Sequence, residues 1–127
     1  MPTAHPPTTR MSAEMLGEVA VLRAVGEVDM SNSDELRDHG VRLLDGDAIA
    51  LVLDLSGVTF FASSGIAALA HLHGHNRDNG TRPIHVAVGG NVRRTLELTA
   101  MQALLPLHDT AEQAIAAALA DAADRAG

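Results

Sequence analysis

The stretch LVLDLSGVTFFASSGIA, residues 51–67, decides the fold of this chain. An apolar run around Asp54 predicts a strand that is covered on both faces, and a short loop then leads to two serines and the first turn of a helix. A hydroxyl at a helix start lies beside unpaired backbone N–H groups and the positive end of the helix dipole. The stretch therefore predicts a place where a phosphoryl group could be accepted and held.

Composition limits the classes of protein to which the chain can belong. Its 127 residues predict one domain, and the absence of cysteine excludes disulfide scaffolds and thiolate metal sites. A net charge of −7, with arginine as the only basic residue type beside histidine, argues against nucleic-acid or anionic-membrane binding. No secretory signal and no apolar run near the roughly 18 residues of a membrane span is found. We expect a cytoplasmic protein.

Hydrophobic periodicity predicts an α/β fold with strands and helices in alternation. Residues 1–12 are expected to form a flexible tail, and residues 13–125 a single domain. The expected sheet is mixed, mostly parallel and four- to five-stranded, with helices packed mainly on one face. The predicted strands lie near residue 15 and over residues 18–28, 48–55, 84–88 and 103–107. Four helices are predicted. The first is capped by Ser31 or Ser33, and the second spans residues 64–79. The third is capped by Asn91, and the fourth by Asp109 or Thr110.

Two loops of the predicted sheet follow neighbouring parallel strands. Residues 29–32 come after the second strand, and residues 56–64 come after the third. Because ligand sites in such sheets lie beyond the carboxyl ends of the strands, we expect Asp29 and Ser64 to be neighbours.

These residues also have plain structural interpretations. One of the two serines would serve as a helix N-cap, and Asp29 as an acid in a turn. A functional interpretation is favoured because two hydroxyls stand together and Gly65 would let a partner approach the backbone. There is no G-x-S-x-G elbow to support a serine hydrolase.

The segment HLHGH, residues 71–75, is a weak metal-site candidate. His71 and His75 share a helix face, as metal-binding pairs do, but the zinc-protease glutamate is missing and His73 lies on the inward stripe. We therefore expect neither a metal nor another cofactor.

Three segments together resemble the STAS domain, specifically the stand-alone bacterial anti-sigma factor antagonists. They are GEVD at residues 26–29, LVLDLSGVTFFASSGIAAL at residues 51–69 and NVRRTL at residues 91–96. The resemblance runs from about residue 11 to residue 120. It implies a STAS-type fold, and it implies that Ser64 is phosphorylated by a partner kinase that is also the anti-sigma factor. Ala62 departs from the family, which usually has aspartate before the serine pair.

The resemblance implies a regulator that binds its anti-sigma kinase when unphosphorylated and thereby releases a sigma factor. ATP would be bound by the kinase, a phosphatase would remove the phosphate, and the protein would be a monomer or weak homodimer with no catalytic residues. A second hypothesis is a non-phosphorylated STAS scaffold in a signalling or transport complex, and a third is a histidine-based metal hydrolase or a nucleotide-binding catalyst. The expected partner-binding residues are Asp29, Met30, Ser31, Asn32, Phe61, Ala62, Ser63, Gly65 and Arg93.

Overall fold

The computed structural model describes residues 9–126, and within them five strands form one sheet flanked by four helices. The strands are β1 (Thr9–Leu16), β2 (Val19–Val28), β3 (Ala50–Phe61), β4 (Ile84–Ala87) and β5 (Leu107–His108). The helices are α1 (Ser33–Leu44), α2 (Ser63–Asp78), α3 (Gly90–Leu98) and α4 (Ala111–Ala126), and a 3-10 helix, Met101–Ala103, precedes β5.

The order of the strands in the sheet is the order in the sequence. β1 and β2 form an antiparallel hairpin closed by Gly17, whose φ of 61° suits a residue without a side chain in this tight turn. All later neighbours pair in parallel through helical crossovers. The predicted mixed, mostly parallel sheet is confirmed.

Alternation along the strands divides the core into two layers. Residues such as Leu22 and Leu53 pack against α1, α2 and α3, whereas Val21 and Val52 pack against Ala114 and its neighbours on α4. Three helices therefore cover one face and one helix covers part of the other, as expected from strands that are apolar on both sides.

β3 is longer than the sequence predicts. A loop is expected after Leu55, but the strand continues to Phe61. It pairs with β2 as far as Val28 opposite Phe61, and the ladder contains two irregularities. In this second half Val58 and Phe61 stay buried while Ser56 is exposed. Two exposed residues precede each buried one in this half, and the ladder is irregular, so the sequence shows neither a continuous apolar run nor a period of two and resembles a loop.

Several predicted boundaries also change. Residues 9–12 belong to β1, because they pair with β2, so the tail prediction is wrong there; residues 1–8 lie outside the described residues. Asn32, not Ser31 or Ser33, is the N-cap residue of α1. Gly89 precedes α3, so Asn91 lies inside that helix. Thr110 does cap α4, since its hydroxyl accepts a hydrogen bond from the Gln113 N–H at 3.1 Å.

The junction of β3 and α2 is fixed by close packing between Phe61 and Gly65. A β-carbon added to Gly65 would lie 2.8 Å from Cζ of the Phe61 ring, which is itself only 5% exposed. Gly65 is therefore needed for helix–strand packing, and not, as the sequence suggested, for the approach of a partner to the backbone.

We expect Gly65→Ala to lower the free energy of unfolding by about 1–3 kcal/mol, because the buried ring must move. Gly74→Ala, on the same helix, is the matched control, since the nearest atom to the added carbon is Nη2 of Arg77 at 4.0 Å. The control should gain about 0.5–1 kcal/mol from helix propensity.

Urea unfolding of both variants, and of Gly65→Ala combined with Phe61→Leu, measures this packing. The double variant should be less destabilised than the two single changes added together, because leucine makes room for the methyl group. Strict additivity would show that the ring does not set the requirement for glycine.

Candidate functional site

The turn between β2 and α1 is closed by its own side chains. The Asp29 N–H donates to Oδ1 of Asn32 at 2.9 Å, and Nδ2 of Asn32 donates to the Glu27 carbonyl at 2.9 Å. The Ser33 N–H donates to the Asp29 carbonyl at 2.9 Å and so starts α1. This network holds residues 29–32 in one conformation, as an Asx-type turn does.

Hydrogen bonds keep the Asp29 carboxylate charged. The Ser31 hydroxyl donates to its Oδ1 at 2.5 Å, and the Ser31 N–H donates to the same oxygen at 2.9 Å. These bonds lower the pKa of Asp29 below its ordinary value of 3.8. The turn therefore presents a fixed negative charge at neutral pH.

The start of α2 lies beside this turn, at the same edge of the sheet. The Ala62 N–H donates to the Val28 carbonyl at 2.9 Å, and this bond extends the β2–β3 ladder by one step. The expectation that the segments of Asp29 and Ser64 are neighbours is confirmed by this register.

Neither serine caps α2. Ala62 is the N-cap residue, with extended φ and ψ of −78° and 169° and no side-chain cap. Within residues 9–126, the N–H groups of Ser63 and Ser64 have no hydrogen-bond acceptor. The first turn thus keeps free donors and the positive end of the helix dipole.

The two hydroxyls differ in their surroundings. Ser63 is exposed, whereas Oγ of Ser64 is buried and has no hydrogen-bond partner among the described residues. Exposure therefore favours Ser63 as a phosphate acceptor, and only position in the family motif favours Ser64. An unpaired buried hydroxyl is costly, and so such a group invites a functional explanation.

Ser64 lines a cleft of about 310 Å³ between α1 and α2. The cleft is also lined by Ser33, Arg37 and His71. Arg37 pairs with Asp34 at 3.2 Å and with Asp38 at 3.0 Å. The sequence analysis missed Arg37, although its spacing of four residues from Ser33 places both on one helix face.

The expected contact residues do not all reach the surface. Phe61 and Gly65 are buried against each other, so their expected role as direct contacts is wrong. Met30 is 86% exposed, and Phe60, which the sequence analysis did not select, is 51% exposed. These two apolar side chains are the exposed hydrophobic groups nearest in sequence to the turn and to the start of α2.

Arg93 lies at the same end of the sheet but faces another strand. Its guanidinium pairs with Asp109, just after β5, at 3.1 Å and with Glu97 at 3.5 Å. No contact among the described residues joins Arg93 to the Asp29 turn or to Ser64.

The three histidines of α2 diverge. His75 contacts Asp45 at 2.7 Å, His71 lines the Ser64 cleft, and His73 lines a different pocket near Arg82. Within the described part of the chain, no group of three or more His, Asp or Glu side chains could hold a metal ion. The same part contains no helix with the length and apolarity to cross a bilayer.

Comparison with known proteins gives a family and a set of similar structures. The family model for the STAS domain matches residues 10–114. An anti-sigma factor antagonist from Mycobacterium paratuberculosis is 27% identical, with a TM-score of 0.79, over 91% of this chain and 98% of that chain.

Two more distant structures share the fold. The Bacillus cell fate determinant SpoIIAA in its phosphorylated form is 18% identical, with a TM-score of 0.64, over 84% of this chain and 96% of that chain. The murine solute carrier 26 family member A9 anion transporter is 20% identical, with a TM-score of 0.68, over 84% of this chain and 18% of that chain.

The free N–H groups at the start of α2 predict that Ala62→Asp stabilises the protein. An aspartate at the N-cap accepts a hydrogen bond from the first turn and should raise the free energy of unfolding by about 0.5–2 kcal/mol. Ala70→Asp, at an exposed position in the middle of the same helix, should instead cost a few tenths of a kcal/mol. Equal effects of both changes in urea unfolding would show that these N–H groups are already satisfied.

Proposed function

The chain belongs to the STAS domain family, and we propose that it acts as an anti-sigma factor antagonist controlled by phosphorylation of Ser64. In its unmodified form it binds an anti-sigma factor that is also a serine kinase, and a sigma factor is released. ATP and its metal ion belong to the kinase, and a phosphatase reverses the modification. The proposal places the protein in the cytoplasm as a monomer or weak homodimer.

The observation that carries the proposal is an unsatisfied helix start at which Ser64 holds the place directly before the glycine of the family motif. Ser64 is the second residue of α2, and it lies next to N–H groups without acceptors and beside the Asp29 turn. The likeness to an anti-sigma factor antagonist over nearly all of both chains supports the assignment of the partner class.

A phosphate on Ser64 acts through its charge. It adds about −1.5 to −2 charges to the start of α2, whose segment adjoins the negatively charged Asp29 turn. Binding must then bury two like charges at one site, which costs several kcal/mol unless the partner compensates both. In the free protein the unpaired N–H groups and the dipole of the first turn of α2 stabilise the added charge.

The buried position of the Ser64 hydroxyl sets a condition for modification. Ser64 is only partly buried as a residue, and we propose that rotation about χ1 carries Oγ from the cleft toward solvent. The kinase would select this rotamer, and no part of α2 has to unfold.

The partner surface proposed here combines one charged and two apolar features. Asp29 supplies the fixed charge, while Met30 and Phe60 supply exposed apolar area of the kind that is buried in protein interfaces. Ser31, Asn32, Ala62 and Ser63 lie between these features and complete the surface.

The second candidate function is a STAS scaffold that binds its partner without modification. Two observations favour it: the acceptor hydroxyl is buried, and Ala62 supplies no carboxylate beside it. The affinities of Ser64 variants for the partner distinguish the two functions, because a scaffold does not need charge control at Ser64.

We expect Ser64→Asp to weaken binding to the anti-sigma partner by about tenfold or more, since even one unpaired interface charge costs about 1.4 kcal/mol. Ser64→Ala should bind as the wild type does. Ala70→Asp, which adds the same charge elsewhere on α2, is the control and should also bind normally.

The partner is isolated by pull-down from native lysate, and the affinities are measured by calorimetry with the purified proteins. Circular dichroism confirms that each variant is folded. Equal affinities of all four proteins would reject charge control at Ser64 and favour the scaffold.

A further inference from the structure

A second site lies at the end of α2 that is remote from Ser64. Three of the nine arginines, Arg77, Arg82 and Arg125, line one pocket of about 290 Å³. They come from the end of α2, the loop before β4 and the end of α4. Since Arg77 follows Ser64 by 13 residues on one helix, the pocket lies about 20 Å along the helix axis from the proposed phosphorylation site. We name it the arginine pocket.

The charge of the arginine pocket is opposite to that of the protein. The chain carries a net charge of −7, yet three arginines and a single acidic residue, Asp121, line the pocket. That carboxylate already has two hydrogen-bond partners. Its Oδ2 contacts Nε2 of His85 at 2.9 Å, and its Oδ1 accepts from Nε of Arg125 at 3.1 Å. Positive charge therefore remains in excess in the pocket.

Arg77 and Arg125 stand in the last turns of α2 and α4, where a cation complements the helix dipole, but their hydrogen-bonding capacity is not used up there. Arg77 donates only through Nε, to Asp78 at 3.3 Å, and Arg125 only through Nε, to Asp121. Within residues 9–126 the terminal nitrogens of both side chains donate no hydrogen bond. By contrast, Arg23 and Arg37 each use a terminal nitrogen as well as Nε to bind two carboxylates.

Arg82 is held in place before any ligand arrives. Its Nη1 donates to the carbonyls of Leu44 and Gly46, the second at 2.7 Å, and so satisfies the end of α1. Its backbone N–H and carbonyl are both bound by the side chain of Asn76, at 3.1 Å and 2.7 Å. The Arg82 guanidinium is therefore engaged at the end of α1, and the fixed Arg82 backbone shapes one wall of the pocket.

The remaining wall of the pocket is apolar. Ile84 and Leu105 are 5% and 2% exposed, and Leu104 and Pro106 adjoin them. The pocket therefore offers a charged rim with an apolar wall, which is the usual composition of a small-molecule site.

We propose that the arginine pocket binds a small phosphate monoester that has an apolar body. The guanidinium groups of Arg77 and Arg125 have free terminal nitrogens, and together they offer more donors than the two oxygens of a carboxylate can accept. A phosphate monoester has three terminal oxygens and about two negative charges, and it is the better match. The volume of about 290 Å³ suits a one-ring or short-chain body and is too small for a whole nucleoside triphosphate. This proposal does not depend on the phosphorylation of Ser64.

Titration of the ¹⁵N-labelled protein with phenyl phosphate, followed by amide chemical shifts, tests the proposal. We expect shifts confined to residues 73–84, 104–106 and 121–125. Inorganic phosphate, which lacks the apolar body, and benzoate, which lacks the phosphate, should each bind at least about fivefold more weakly.

Arg77→Gln and Arg125→Gln remove the two guanidinium groups with free terminal nitrogens, and each should raise the Kd for phenyl phosphate about tenfold. Arg94→Gln, an exposed arginine outside the pocket, is the matched control for the lost charge and should leave the Kd unchanged. Arg82 is left intact because it holds the end of α1.

The proposal is overturned if phenyl phosphate causes no shifts at millimolar concentration, if the shifts centre on residues 62–66, or if Arg77→Gln and Arg94→Gln weaken binding equally. Because Arg77 is 67% exposed on its side chain, its variant should fold normally, and so a negative result is informative.

Discussion

Parallel pairing between β2 and β3 beyond the buried centre of the sheet is the constraint on which the rest of the site depends. The ladder passes two irregularities and continues to Val28 and Phe61, and the Ala62 N–H adds one further bond. If β3 ended at Leu55, as its apolar pattern suggests, α2 would begin from a free loop. The extended ladder instead brings the start of α2 to the Asp29 turn in a fixed orientation.

Packing at the end of this ladder explains how one segment can be both rigid and modifiable. The Phe61 ring covers Gly65, so the first turn of α2 cannot shift without opening the core. The Ser64 hydroxyl, in contrast, has no bond to break. A rigid backbone with an unpaired side chain fits the proposed phosphorylation, since charge could be added at Ser64 without a change of fold.

The sequence was informative where periodicity or local motifs decide structure. The buried half of β3 and the helix of Leu69 and Leu72 follow from apolar spacing, and the nearness of the Asp29 and Ser64 segments follows from parallel topology. The burial of Ser64 could not be predicted, because it depends on how α1 packs against α2. The arginine pocket is also invisible in the sequence, because its members are separated by up to 48 residues and meet only through tertiary structure.

We propose that Ser64, although its hydroxyl is buried, is the residue that the anti-sigma kinase modifies. The most direct test is to incubate the purified protein with its anti-sigma kinase and ATP and to map the phosphate by mass spectrometry of the peptides. The account predicts phosphate on Ser64 and none on the exposed Ser63. Phosphate on Ser63 alone, or on neither residue with a kinase shown to be active, would contradict it.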